Sequence, residues 1–395
     1  MARQYRVISG DTHLEVAASR WTCRVPEQYR DRAPRTVRLA SGGDALLVEG
    51  LPLRENANDM FGGRHDTWRP TGNRYGDTPG TGSPEERLAC LDKDGMDAEI
   101  MFHAVVHGPR TWRSIRDDDV YRACIRAWND FIAEEYAAFA PDRFFPMGVI
   151  PQTNLRDALE EMEHCQKLGL KGIALGDFPS GKEYPTTEDD PFWAEAIRTR
   201  MPVTIHVELV RSSGTRDGSL VQFPKRYGGQ DLADRMVKFA RTGGFNVVQF
   251  ILGGVFDRFP DLRILFAENQ LCWVPVFMTV MDERYEKHIT WAQDLLGFEP
   301  LKNGKPSDYV RRHVLWGFQH DPAGVALRDW YGTENAIWGS DFPHQESQYP
   351  HSLEEIDDNF RGVPDDVRYR MTCGNAIDFF HLTNGTSKST ESAAR

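Results

Sequence analysis

The stretch YRVISGDTHLE, residues 5–15, decides the fold. A short apolar run, Val7-Ile8, leads through small residues into Asp11-Thr12-His13-Leu14-Glu15, the pattern of a strand that ends in reactive side chains. Strand side chains alternate faces, which puts Asp11, His13 and Glu15 on one side and Thr12 and Leu14 on the other. Working outward, seven further runs have the same form: AEIMFH (98–103), FFPMGVIP (144–151), KGIALG (171–176), PVTIHVE (202–208), RILFAEN (263–269), HVLWGFQ (313–319) and AIWGSD (336–341). Helical patterns lie between them at 117–139, 154–168, 190–199, 230–259, 270–288 and 322–330, with a last one at 365–381. Strands alternating with helices signal βαβ units and a parallel sheet. Eight strands match a closed α/β barrel, a distorted (β/α)8 TIM barrel. No GxGxxG or Walker pattern follows the first strand, which weakens a doubly wound nucleotide fold.

The rest of the chain reads as loops of that barrel. Residues 16–82, 209–229 and 289–310 show little periodicity and begin at or shortly after the C-terminal ends of proposed strands. Barrels build their active sites from such βα loops, so these segments are expected to form lid and pocket. One barrel domain is expected over residues 1–382, with an insertion at about 16–82, and a disordered tail over 383–395. The 395 residues carry a net charge of −12, and no Lys/Arg-rich run is present, which argues against nucleic acid or anionic membrane as a partner. No stretch of about 18 apolar residues exists to span a bilayer, and the start lacks a signal-peptide core; a cytoplasmic location is expected. The six cysteines are scattered without a CxxC pair, against a disulfide framework or a cysteine zinc site.

Chemistry concentrates at the strand ends. His13 and Glu15, two apart on one face, can grip one divalent metal; a satisfied polar pair at a barrel mouth is the bland alternative. The second strand ends in Phe102-His103, the fifth in His206-Val207-Glu208 and the sixth in Glu268-Asn269. The seventh is followed by His320-Asp321, and the eighth by Asp341-Phe342-Pro343-His344. Buried imidazoles and carboxylates without a counter-charge would carry desolvation penalties of several kcal/mol each, roughly, so a metal centre is the economical account. His320 and His344 are expected to support ligands rather than bind metal. His107 is a weaker candidate at the mouth. Trp68, Trp112, Phe223, Tyr227 and Trp291 would suit a bulky apolar substrate or simply pack lids, and Arg211, Arg216, Lys225 and Arg226 would meet phosphates or face solvent.

The DxHxE start, TIHVE, the run GGVFDRFPDLRILFAEN and the terminal WGSDFPH resemble the amidohydrolase superfamily over roughly residues 7–381, in the branch of aminocarboxymuconate-semialdehyde and resorcylate-type decarboxylases. The resemblance implies a metal centre at the C-terminal ends of the strands, with His13, Glu15, His206 and Asp341 at ligand positions. Two departures stand out: Glu15 where the family often has a second His, and Glu268 where a His commonly follows the sixth strand. Adding His103 gives six candidate ligands, more than one zinc needs, and mixed imidazole and carboxylate suits iron that binds O₂. That pattern resembles the TIM-barrel non-haem diiron monooxygenases of platensimycin and platencin biosynthesis. The resemblance implies two Fe ions, O₂ as co-substrate and a coenzyme A-linked diterpenoid substrate, with Asp341 and Glu268 catalytic. The chain shows no flavin, nicotinamide or iron–sulfur signature, so an external electron donor is expected, and the wider family implies a homodimer. The alternative expectation is a mononuclear zinc or manganese decarboxylase or hydrolase acting on a small carboxylated substrate.

Overall fold

In the first strand, β1 (Ile8–Leu14), every residue is buried. A strand of a parallel barrel has both faces covered, so its polar side chains need partners inside the protein. Ser9 Oγ donates to the Asp11 carbonyl at 2.9 Å, and Thr12 Oγ1 donates to the Ile100 carbonyl at 3.0 Å. The computed structural model describes residues 3–55, 69, 71–103, 109–209 and 243–384.

The remaining barrel strands follow in chain order: β2 (Ala98–His103), β3 (Phe144–Pro146 and Gly148–Val149), β4 (Ile173–Leu175), β5 (Val203–His206), β6 (Ile264–Ala267), β7 (Val314–Phe318) and β8 (Ala336–Trp338). Each pairs in parallel with its neighbours around the ring. β3 pairs with β2 along Phe144–Pro146, with the Met147 N–H still donating to the Met101 carbonyl at 2.8 Å, and with β4 from Gly148 on its other edge. The ring closes where Thr12 bridges Phe342 in parallel and His13 N–H donates to the Phe342 carbonyl at 2.7 Å. The fold is the closed α/β barrel of eight parallel strands that the eight apolar runs predict.

Two glycines make that closure possible. A Cβ on Gly10 would lie 2.2 Å from Ile337 Cγ2, and one on Gly339 would lie 2.7 Å from the Asp11 backbone nitrogen. Only hydrogen fits between β1 and the chain leaving β8. The β1–β2 register also shifts between Ser9 and Thr12, a bulge-type irregularity that re-aims the side chains above it.

Inside the ring, Ile8, Ile100, Phe102, Met147, Leu265, Leu315 and Ile337 form one apolar cluster. A larger cluster lies between strands and surrounding helices, among them α1 (Pro84–Lys93), α2 (Asp118–Phe131), α3 (Leu155–Lys167) and α4 (Asp190–Thr199). Ser83 starts α1 with a capping box to Glu86, and Asn154 caps α3 by accepting from the Asp157 N–H.

Three expectations need correction. Within 16–82, Arg35–Arg38, Asp44–Leu47 and Arg54–Glu55 form an antiparallel sheet, whose short strands lack a clear alternation. The expected helix over 230–259 appears, within the described part, as α5 (Gly244–Leu252) and a separate turn, Val255–Arg258, because Gly254 takes a left-handed φ of 67°. The helix expected to stop at 288 continues as α6 (Val274–Leu296) and ends at Gly297, whose φ is 64°. Residues 210–229 and the tail from 385 lie outside the described residues.

Candidate metal centre

The strand ends converge on one cluster. One ligating atom from each of Asp11, His13, His206 and Glu268 lies within 4.8 Å of the others. His13 Nε2 is 3.6 Å from Asp11 Oδ1 and 3.3 Å from Asp341 Oδ1. His206 Nε2 is 3.5 Å from the same Asp11 oxygen and 3.4 Å from Glu268 Oε2. β1 supplies Asp11 and His13, β5 supplies His206, and Glu268 and Asp341 stand just beyond β6 and β8.

Backbone geometry aims these groups. Val207, Glu268, Gln270 and Asp341 all take left-handed φ values, between 56° and 60°, directly above the strands. Such conformations cost non-glycine residues about 1–3 kcal/mol each and persist where the surrounding structure enforces them. Asn269 does part of that: its side chain donates to the Val207 and Ala267 carbonyls at 2.9 and 2.7 Å, tying the ends of β5 and β6 together.

The cluster fits a divalent cation. His13 Nδ1–H donates to the His103 carbonyl at 2.9 Å, which leaves the lone pair on Nε2 facing the carboxylates. Neither Asp11 oxygen nor His13 Nε2 has a hydrogen-bond partner among the described residues, although both side chains are buried. An ion accepted by all of them removes the penalty of leaving them unsatisfied. Burial pushes the Asp11 carboxyl well up, with the neighbouring Asp341 and Glu268 carboxylates adding to the effect and His13 and His344 opposing it. Asp341 behaves oppositely: burial would raise it, but His344 and His13 hold it well below the usual carboxylate range.

His344 belongs to the same constellation. Its Nδ1 is 2.9 Å from Asp341 Oδ1 and its Nε2 is 3.2 Å from Glu15 Oε1. Burial disfavours the imidazolium, yet the Asp341 and Glu15 carboxylates raise its pKa well above the ordinary value. The wall beside His206 is apolar: the buried Phe102 ring lies 5.1 Å from the His206 ring.

Residues 11–382 match the amidohydrolase family. The chain belongs to that family. Three curated relatives are decarboxylases. OrsB of Emericella nidulans is 25% identical over 181 residues, which are 45% of this chain and 51% of its own length. A gamma-resorcylate decarboxylase of Rhizobium sp. is 26% identical over 234 residues, 57% of this chain and 66% of its own. The 2-amino-3-carboxymuconate-6-semialdehyde decarboxylase of Dictyostelium discoideum is 23% identical over 304 residues, 76% of this chain and 77% of its own. The chain thus spans about half to two thirds of the length of the first two. Among solved structures, an amidohydrolase of Mycobacterium avium subsp. paratuberculosis superposes with a TM-score of 0.72 at 18% identity, covering 96% of this chain and 100% of that one. A 5-carboxyvanillate decarboxylase of Novosphingobium aromaticivorans, solved with manganese and 4-hydroxy-3-methoxy-5-nitrobenzoic acid, superposes at 0.66 and 16% identity, covering 96% of each chain. These superpositions carry the fold alone.

The relatives overturn the diiron monooxygenase expectation, and oxidoreductase chemistry and antibiotic biosynthesis go with it. Two irons and O₂ find no support either. The extra ligands behind that expectation also sit differently in this amidohydrolase. Glu15 faces His344, one residue beyond the end of β1, and His103 offers its carbonyl to His13; neither joins a metal-ligand group among the described residues. His320 is exposed and pairs with Asp358 at 2.9 Å. His13, His206, Glu268, Asp341 and His344 are brought together. Asp11, left out of the expected ligands, and Glu346, exposed within 4.8 Å of Glu268 and Asp341, are the additions. His107, Trp68 and the 211–227 residues lie outside the described residues. Trp112 is buried against Trp21 at 4.6 Å, and Trp291 lies exposed on α6. No helix among the described residues is long and apolar enough to cross a membrane.

Proposed function

We propose that this amidohydrolase is a metal-dependent decarboxylase that removes a carboxylate from an electron-rich aromatic or conjugated carbon. One divalent ion, manganese or zinc, would be held by Asp11, His13, His206 and Asp341, with Glu268 beside it. The observation that carries the reading is the convergence of these donors with Asp11 and His13 buried and short of hydrogen-bond partners. The decarboxylase names of the relatives favour loss of CO₂ over other amidohydrolase chemistry.

An ion held by these residues would supply positive charge that stabilises negative charge developing on the substrate. The residues do the rest. His13 is fixed in one tautomer by the His103 carbonyl, and Phe102 walls off water beside His206. When the carbon–carbon bond breaks, the electron pair stays on the carbon that bore the carboxylate and CO₂ leaves. That carbon then needs one proton. The Asp341 Oδ1–His344 Nδ1 pair holds it, and Glu15 steadies the far side of the imidazole. Solvent returns the proton after product leaves.

The test is a substrate panel. Chelator-stripped protein resupplied with Mn²⁺ or Zn²⁺ is given 2,6-dihydroxybenzoate, 5-carboxyvanillate and matched aryl esters, with CO₂ and acid release measured. Metal-dependent CO₂ release from at least one carboxylate is expected. Ester hydrolysis without CO₂ would replace the reading with a hydrolase.

A further inference from the structure

Arg87 is a charged side chain with no exposed surface, on α1, outside the cluster. Its Nε donates to Glu99 Oε1 at 2.8 Å, and Nη2 donates to Glu99 Oε2 at 2.7 Å and to the Phe342 carbonyl at 3.3 Å. Nη1 donates to the His13 carbonyl at 3.0 Å and the Gly80 carbonyl at 3.4 Å. A guanidinium has five N–H donors in a rigid plane, and here each has an acceptor. The plane also lies 4.5 Å from the centre of the Phe342 ring.

The acceptors matter more than their number. His13 is a candidate ligand, and Phe342 directly follows Asp341, another. The Phe342 carbonyl also accepts the His13 N–H that closes the barrel. Arg87 therefore grips both sides of the seam between β1 and β8 at the point where two ligands leave the backbone. Glu99, buried on β2, fixes the fork from behind. A lysine ammonium in the same place is a point donor and cannot span the two carbonyls while pairing with Glu99.

We propose that Arg87 is a positioning residue for the metal centre, setting the spacing of His13 and Asp341 by holding the carbonyls of His13 and Phe342. The inference rests on the metal-centre reading above. Its test is Mn²⁺ binding to chelator-stripped protein, followed by loss of the free-ion EPR signal, with thermal unfolding of the metal-free chain measured alongside. For Arg87→Lys, affinity is expected to fall about tenfold or more and the spectrum of the bound ion to change. The pair Arg87→Met with Glu99→Leu guards against a folding defect, because replacing a buried ion pair by apolar residues is often tolerated. That variant is expected to unfold near the temperature of the unaltered chain yet bind Mn²⁺ about tenfold or more weakly. Binding within twofold of the unaltered protein in either folded variant would overturn the proposal. Absence of binding by the unaltered protein would instead overturn the metal-centre reading, and the proposal with it.

Discussion

Asp11 and Glu15 flank His13 at the same spacing on the same face, yet only Asp11 reaches the cluster. Alternation could not separate them, because it fixes the face and not the depth along the barrel axis. Register does. The Asp11 carbonyl accepts the Asp341 N–H at 2.9 Å, which places Asp11 level with the β8 ligand, while Glu15 stands beyond Leu14, the last residue of β1. Asp11→Asn is expected to weaken Mn²⁺ binding by about a hundredfold, whereas Glu15→Gln should retain the ion and show its loss in kcat, both read from metal titration and CO₂ release. His344→Asn should keep ion and fold while lowering kcat about 10²–10⁴-fold, the usual contribution of a positioned proton donor. Unchanged kcat would remove His344 from the proton path.

At the scale of elements, the eight strands were legible because a strand covered on both faces reads as an apolar run, and each of these runs is short and bounded. The late start of the β3–β4 pairing was not, since FFPMGVIP is one continuous run; it begins at Gly148 because Pro146 has no N–H to give that ladder. The reach of α6 was hidden too, because much of its surface beyond 281 is exposed and its apolar residues there no longer follow one buried face. The seam between β1 and β8 carries the element-scale prediction. Gly339→Ala puts a methyl against the Asp11 backbone, which cannot move aside as a side chain can. A loss of about 1–3 kcal/mol is expected in urea unfolding, with weakened metal binding because the displaced backbone carries ligands. Stability equal to that of the unaltered chain would show that the seam has slack.

Over the whole molecule, the −12 net charge conceals a concentration of acid at the barrel mouth, where Asp11, Glu268, Asp341 and Glu346 gather. A divalent ion offsets that charge locally, so removing it should lower the unfolding temperature, more at low ionic strength. A second acid acts away from the cluster. Glu355 accepts from Trp338 Nε1 at 3.1 Å, and burial pushes its carboxyl up to about 7. The folded chain therefore binds a proton that the unfolded chain has released between its ordinary pKa of 4.5 and about 7. Stability from this group is complete below that window and is lost as pH rises through it. Between pH 5 and 8 the unaltered protein should lose more stability than Glu355→Gln, by up to roughly 3 kcal/mol, in paired urea titrations. Parallel curves would contradict a buried neutral carboxyl.

On the proposed reading, one divalent ion held by Asp11, His13, His206 and Asp341 makes this amidohydrolase a decarboxylase. Titrating chelator-stripped protein with Mn²⁺ while recording CO₂ release from a turned-over carboxylate tests it directly. Release is expected to rise from near zero and level off at one ion per chain. Full release before any Mn²⁺ is added, or a plateau only at two ions per chain, would contradict it.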